Sequence, residues 1–390
     1  MLLIFGFKSF RARVDPLILV SIAAALWSAG LARWWLAAVL SGLAFGFCVN
    51  VKLHGVLYCL PLVVLLWRRH GLGGVVTSGI TALGALLLPF FAFGQISLGP
   101  YVEWIRGVSR HGLLPAAFLE NLGWALLLCV PLAVVALHLK REAPVELNAI
   151  VRRHAPLIVV TVLGMVLSAL AGSKVGSGPH HLMPFTPLLV YAVATLTARI
   201  GERTGRGLLQ SPAVAATTLA YVVACLTTTA ATTARDIVAV RSTPAARILE
   251  DIRRVEQEYP DATIEMGYGS RADYFLSWYR TRLVFDGHPY SVDPGSLMEY
   301  RRSGPAIGEP LLDRLRAGTT TIWLIPKGSR PFEMRSFYPA PDGGGRQDLF
   351  GDAFRRTFLD AYEPRGSSRY FDLWFHESAP EGRRTSAASP

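Results

Sequence analysis

The chain has 390 residues, 51% of them hydrophobic, with 39 Lys and Arg against 28 Asp and Glu for a net charge of +11. Residues 1–234 hold 17 basic and 6 acidic residues, whereas residues 235–390 hold 22 of each. That layout excludes a wholly soluble globule. It also excludes a nucleic-acid-binding protein, because the basic residues lie between long apolar runs and form no single patch.

The opening MLLIFGFKSF is too short for a signal peptide, lacks a small-residue cleavage site, and reads as the end of an earlier helix. Arg11, Arg13 and Asp15 then precede the apolar run Pro16–Leu31. Asp15-Pro16 is either a helix cap followed by proline or, with arginine, a charged pair ordering an outer cavity. Trp35–Val49 and His54–Trp67 flank the polar Asn50-Val51-Lys52, and Gly42 and Gly46 have the spacing of close helix packing. Gly73–Phe93, Leu122–Leu139, Pro156–Ala171, Leu182–Ile200 and Val214–Ala234 complete about eight expected transmembrane helices.

Two connections stand out. In Gln95–Asn121, Tyr101, Trp104 and Val108 share one helical face and Arg106 and Arg110 another, which predicts an amphipathic interfacial helix. Gly172–His181 reads GSKVGSGPHH, where the glycines forbid a helix and Pro179 restarts one. With the Trp67–Gly73 connection on the cytoplasmic side, ten of the seventeen cations fall on that side, including Arg33, Lys140, Arg141, Arg152, Arg153 and Arg199. This predicts an inner-membrane protein, multi-pass, whose C-terminal domain is extracytoplasmic.

The tail alternates expected strands (Thr263–Tyr268, Arg282–Asp286, Thr319–Ile325, Tyr370–His376) with helical patterns, predicting a small α/β domain with a mostly parallel sheet. The expected domains are thus 1–234, membrane; 235–378, extracytoplasmic α/β; and 379–390, a disordered tail. Cys48, Cys59, Cys129 and Cys225 all fall in membrane runs, so no disulfide framework supports the tail.

Polar groups at membrane depth or at its edge are costly and draw attention. Lys52 either holds a substrate phosphate, helped by His54, or snorkels to the interface. Lys174, His180 and His181 on the flexible connection can clamp a phosphate or simply be solvated. A metal is not expected there, since no carboxylate is close in sequence and adjacent side chains diverge on a helix. No cofactor is expected either, and a divalent-metal requirement stays undetermined. The outer carboxylates of the membrane half are Asp15, Glu103 and Glu120. In the tail, Asp273-Tyr274, Asp286-Gly287-His288 and Lys327–Phe332 lie at strand ends or helix starts, where turn chemistry is the simpler reading.

RVDPLILVSIAAALW and then WWLAAVLSGLAFGFCVNVKLHGVLYCLPLVVLLWRR resemble the middle of GT-C membrane glycosyltransferases. The similar branch is that of protein O-mannosyltransferases and lipid A aminoarabinose transferases (glycosyltransferase family 39-like). Arg13 and Asp15, Gly42 to Lys52, and Pro61 correspond to its motifs, and PHHLMPFTPLLVY matches a later segment through His181, Pro184 and Pro187. The resemblance covers roughly residues 11–200. It implies a GT-C-like fold and sugar transfer from a polyprenyl-phosphate carrier to a lipid, glycan or protein acceptor at the outer face. A carboxylate acts as base and cations (Lys52, Lys174, His180, His181, Arg13) hold the phosphate. The family's acidic loop precedes the segment matched here, so the base is not assigned. Asp15 and Glu103 are the candidates within the chain, and a partner chain can supply the missing helices. The alternative expectation is a non-catalytic membrane subunit that binds a lipid carrier in envelope-polysaccharide assembly.

Overall fold

A computed structural model describes residues 14–94, 96–109, 112–174, 177–204, 211–242, 244–302, 307–339 and 345–379. Arg11, Arg13 and the expected tail 380–390 lie outside the described residues. The chain divides into two compact units, one over 1–102 and 112–240, the other over 103–111 and 241–390.

The first unit is helical: α1 Asp15–Ala29, α2 Trp34–Val51, α3 Gly55–Ala92, α5 Pro115–Glu142, α6 Pro144–Ala171, α7 Thr186–Thr204 and α8 Pro212–Ser242; the amphipathic α4 Leu98–Ser109, between α3 and α5 in sequence, is divided between the two units at residue 103. Six helices among the described residues are long and apolar enough to cross a membrane, which marks the chain as a membrane protein. The expectation of eight crossings is corrected in two places. α1 has 15 residues and reaches about 22 Å, short of a hydrocarbon core of about 30 Å. The runs 54–67 and 73–93 are joined in the 38-residue α3, one long helix by assignment but made of two arms that meet at Gly71.

That long helix is not straight. Gly71 interrupts it at φ 68° and ψ −168°. Before Gly71, α3 runs antiparallel to α2, since Gly55 lies against Cys48. After Gly71 it runs alongside α2 in the same direction: Gly42 faces Ser78, Gly46 faces Ala82, and the Asn50 amide donates to the Ala85 carbonyl at 2.8 Å. The chain therefore turns back at Gly71, a backbone conformation that only glycine adopts cheaply. A Cβ at Gly42 or Gly46 would lie 2.5 Å from a carbonyl oxygen of α3, so the packing reading of that pair holds.

Further pairings fix which helix ends lie together. Ser41 donates to Ala25 (3.5 Å), Arg68 meets His154 (3.3 Å), and Asn121 donates to Ala169 (3.2 Å). One end of the bundle therefore gathers Asp15, Lys52, Asn121 and the 172–181 connection. The other gathers Arg68, Arg69, His70 and His154. The core between them holds Ile18, Ile22, Tyr58, Leu62, Leu128 and Phe185. The outer surface stays apolar, with Leu17, Val20, Leu83, Phe91, Leu126, Val159 and Leu219 all exposed, far more than a water-facing surface carries.

The second unit is a mixed sheet with helices on both faces. β1 Ile264–Met266, β2 Ile322–Pro326, β5 Tyr362–Ser367 and β6 Phe371–His376 are ordered β1-β2-β6-β5, and β3 Arg335–Pro339 pairs with β4 Arg346–Asp348. Only β1–β2 is parallel; β2–β6 and β5–β6 are antiparallel, which corrects the mostly parallel sheet. The tight turn at Ser368, whose N–H donates to Phe371 at 2.7 Å, closes a hairpin, whereas a parallel pair needs a long crossover. All five residues of β2 are buried because they alternate between two cores. Ile322 and Leu324 pack with Ile248, Ile252 and Val255 of α9 (Ala245–Glu258), and Trp323 and Ile325 pack with Phe354 and Phe358 of α13 (Gly351–Ala361). The expected strand 282–286 is helical, as α10 Arg280–Phe285 continues a 3-10 run from Arg271.

Candidate functional site

At one end of the helical unit, three stretches distant in sequence meet. Asp15 opens α1 behind the cap residue Val14, whose side chain supplies no capping bond. The Asp15 carboxylate is buried against Lys52, whose Nζ donates to Oδ1 at 2.5 Å. Side-chain exposures of 18% for Lys52 and 2% for Asp15 make this a largely desolvated pair. The expected partner of Asp15, Arg13, lies outside the described residues.

Lys52 closes α2 and leads through Leu53 to His54, which precedes the first turn of α3. His54 Nε2 lies 2.8 Å from Nδ1 of the buried His181. Burial, with Lys52 beside it, pushes the His54 imidazole down to about 4. The neutral ring then accepts or donates one hydrogen bond to His181. Tyr58 lies one turn deeper, edge-on to both His54 (5.8 Å) and Phe185 (5.3 Å). The hydroxyls of Tyr58 and Ser168 are buried near each other, yet among the described residues neither makes a hydrogen bond of normal geometry.

The third stretch is the connection after α6. Leu113 and Lys174 form an isolated bridge, with the Leu114 N–H donating to Ser173 at 3.0 Å, so this connection is strapped to the start of α5. Lys174 is half-buried and near enough to contribute to the lowering of His54. Pro179–Phe185 then forms a 3-10 helix instead of an α-helix. In its first turn the rings of His180 and His181 lie 4.4 Å apart, inclined by 33°. Nitrogens of these two histidines and an oxygen of Asp15 all lie within 4.8 Å of one another. Gly172 lies at close quarters with this cluster, since a Cβ there would stand 3.1 Å from His181 and 3.2 Å from Asn121.

Five sequence-predicted residues thus come together: Asp15, Lys52, His54, His180 and His181, with Lys174 electrostatically linked to them. Glu103, the other candidate base, is exposed on α4 and groups with the second unit. The reading that His180 and His181 diverge is corrected by the 4.4 Å between their rings; a 3-10 helix sets adjacent residues about 120° apart, so the side-chain torsions and not the helix type bring the rings together. Sequence reasoning also missed Tyr58, which a helical-wheel view from His54 would have placed one turn further on.

The tail candidates serve the fold. Gly328 N–H donates to Asp372 (2.8 Å) and Lys327 to the Ser368 carbonyl (2.8 Å), while Asp273 accepts from Ser270 and Ser329. His288 accepts from the Ile264 N–H at 3.2 Å. Burial lowers its pKa, and burial together with Asp286 raises that of the neighbouring Glu256.

Comparison with models of protein families, with curated proteins and with solved structures gives no match in any of the three.

Proposed function

We propose that the chain is a GT-C-like membrane glycosyltransferase, or the C-terminal portion of one, acting on a polyprenyl-phosphate-linked sugar at the outer face of the inner membrane. The observation that carries this reading is the gathering of Lys52, Lys174, His54, His180 and His181 around one buried carboxylate at one end of an apolar bundle. A phosphate headgroup matches that arrangement: ammonium and imidazole N–H groups receive its oxygens, while the prenyl chain lies along lipid-facing Leu and Phe side chains. During transfer the same cations stabilise the departing phosphate. The acceptor is a lipid, glycan or protein hydroxyl.

Asp15 is poorly suited to deprotonate that hydroxyl, because Lys52 already engages it in a buried ion pair. This observation favours a second reading, a lipid-carrier-binding subunit without chemistry of its own. Binding of farnesyl phosphate and of farnesol to the full chain in nanodiscs tests the shared premise. The phosphate form is expected to bind and to weaken in Lys174→Ala; equal affinity for both ligands refutes the premise. Release of prenyl phosphate from a prenyl-phosphoryl sugar by the same preparation separates the transferase from the subunit.

A further inference from the structure

We propose that the second unit rests on the lipid bilayer through an exposed apolar stripe on the 3-10 run from Arg271 and on α10. Phe275, Trp278, Val284 and Phe285 are all exposed, Trp278 at 62% and Phe285 at 88%. Side chains three apart eclipse one another on a 3-10 helix, so Phe275 and Trp278 share one edge of Arg271–Tyr279. Thr281 and Val284 continue the row at the same step into α10, and Phe285 adjoins it. The opposite edge faces inward: Leu276 and Leu283 are buried with Ile248 and Ile252 of α9. The segment is therefore apolar on both edges, and the fold of the unit uses only one of them. Large apolar groups displayed together in this way mark an interaction surface.

Three observations favour a membrane as the occupant. The first is reach. Val214–Arg235 is long and apolar enough to cross a membrane, α8 continues from there to Ser242, and α9 begins at Ala245. The seven helical residues 236–242 and three extended steps put the start of α9 at most about 21 Å from the end of that span. The headgroup layer itself takes up about 5–7 Å of this distance. The second is composition. Tryptophan concentrates at the boundary between hydrocarbon and water, and Trp with Phe forms the apolar face of segments that lie in it. The third is charge. A bare carboxylate opposes contact with an apolar layer, but those nearest the stripe in sequence are engaged. Ser270 and Ser329 donate to Asp273, Arg282 pairs with Asp286 at 2.6 Å, and Arg280 pairs with Asp293 at 3.2 Å.

The test reads lipid contact in the full chain in nanodiscs, without any sugar donor. Thr281 is exposed within the stripe, and Thr281→Cys carries an environment-sensitive fluorophore while the four apolar side chains stay in place. Leu359→Cys carries the same label on α13, exposed on the other face of the sheet. Wild type, whose four cysteines all lie in the helical unit, is the blank. With lipids bearing a nitroxide near the headgroup, emission at 281 is expected to be strongly quenched and emission at 359 to be little changed. Adding Phe275→Ser, Trp278→Ser and Phe285→Ser, all at exposed positions, is expected to reduce the loss at 281 to that at 359. Equal quenching at the two labels, or quenching at 281 that survives in a triple variant melting like wild type, overturns the proposal. An unquenched label at 281 overturns it too, and a blue shift in that case identifies protein, the helical unit or a second copy, as the cover. The comparison of the two labels decides the matter whether or not the triple variant folds, and no readout depends on the transferase reading.

Discussion

Replacing Lys52 by Met removes the counter-charge of a carboxylate that stays behind in the bundle. Asp15 has 2% side-chain exposure and Lys52 18%, so the pair is buried on the acidic side and slightly wet on the basic side. Breaking a buried pair by removing one partner costs about 3–5 kcal/mol, and partial solvation of Lys52 puts this case near the lower figure. Asp15 also lies in the first turn of α1, where the helix dipole returns about 0.3–1 kcal/mol. The net expectation is a loss of about 2–3 kcal/mol, equivalent to a melting temperature lower by roughly 5–10 °C. Asp15→Asn leaves Lys52 able to turn toward water and costs about 1 kcal/mol. In the double variant no buried charge remains, so much of the Lys52→Met loss returns. Thermal unfolding of the chain in nanodiscs, followed by tryptophan fluorescence for wild type and the three variants, measures the coupling. Effects that add to within about 0.5 kcal/mol would show that the two groups do not stabilise each other.

Gly42→Ala places a methyl 2.5 Å from the Ser78 carbonyl oxygen, and forcing α2 away from α3 is expected to cost about 1–3 kcal/mol. A Gly79→Ala control, with open space around its Cβ, should melt like wild type; equal losses in both would contradict close packing as the cause. In the second unit, burial works against ionisation of Asp293, but the Tyr290 hydroxyl, the Ser296 N–H and hydroxyl, and the Arg280 guanidinium outweigh it and hold the carboxyl below its ordinary range. The stability this contributes is fully present above the ordinary aspartate pKa and disappears as pH falls through the lowered value. Tyr290→Phe should therefore destabilise more at neutral pH than near about pH 3, and a loss independent of pH in melting curves counts against that linkage.

Much of the helical unit was legible because its signals are local. The run 35–49 and α2 nearly coincide, and Lys52 was picked out by its place between two apolar stretches. The start of α1 and the separation of the runs 54–67 and 73–93 are legible too, within a residue or two; what run length does not show is that those two runs join directly at Gly71 into one interrupted helix. The Asp15–Lys52 pair joins residues 37 positions apart, a relation that only tertiary packing supplies. Adjacent residues point apart on an α-helix and on a 3-10 helix alike, so the 4.4 Å approach of the His180 and His181 rings depends on side-chain torsions that the local sequence does not display. In the tail, β5 escaped notice because Pro364 and Gly366 break its alternation at a shift of register.

The reversal at Gly71 reaches well beyond its own neighbourhood. Each traverse of the bundle inverts the direction of the chain, so the end on which any later connection emerges depends on whether the preceding traverses are odd or even in number. Were 55–92 one straight rod, α5 and α6 would run the other way, and the histidine pair would surface beside Arg68 instead of Asp15. No neighbouring atom crowds the Cβ position of Gly71, so sterics with distant residues exert no demand there. A single permissive backbone torsion thus sets the address of side chains more than a hundred positions downstream, and the chemistry at the far end of the unit inherits its location from that hinge.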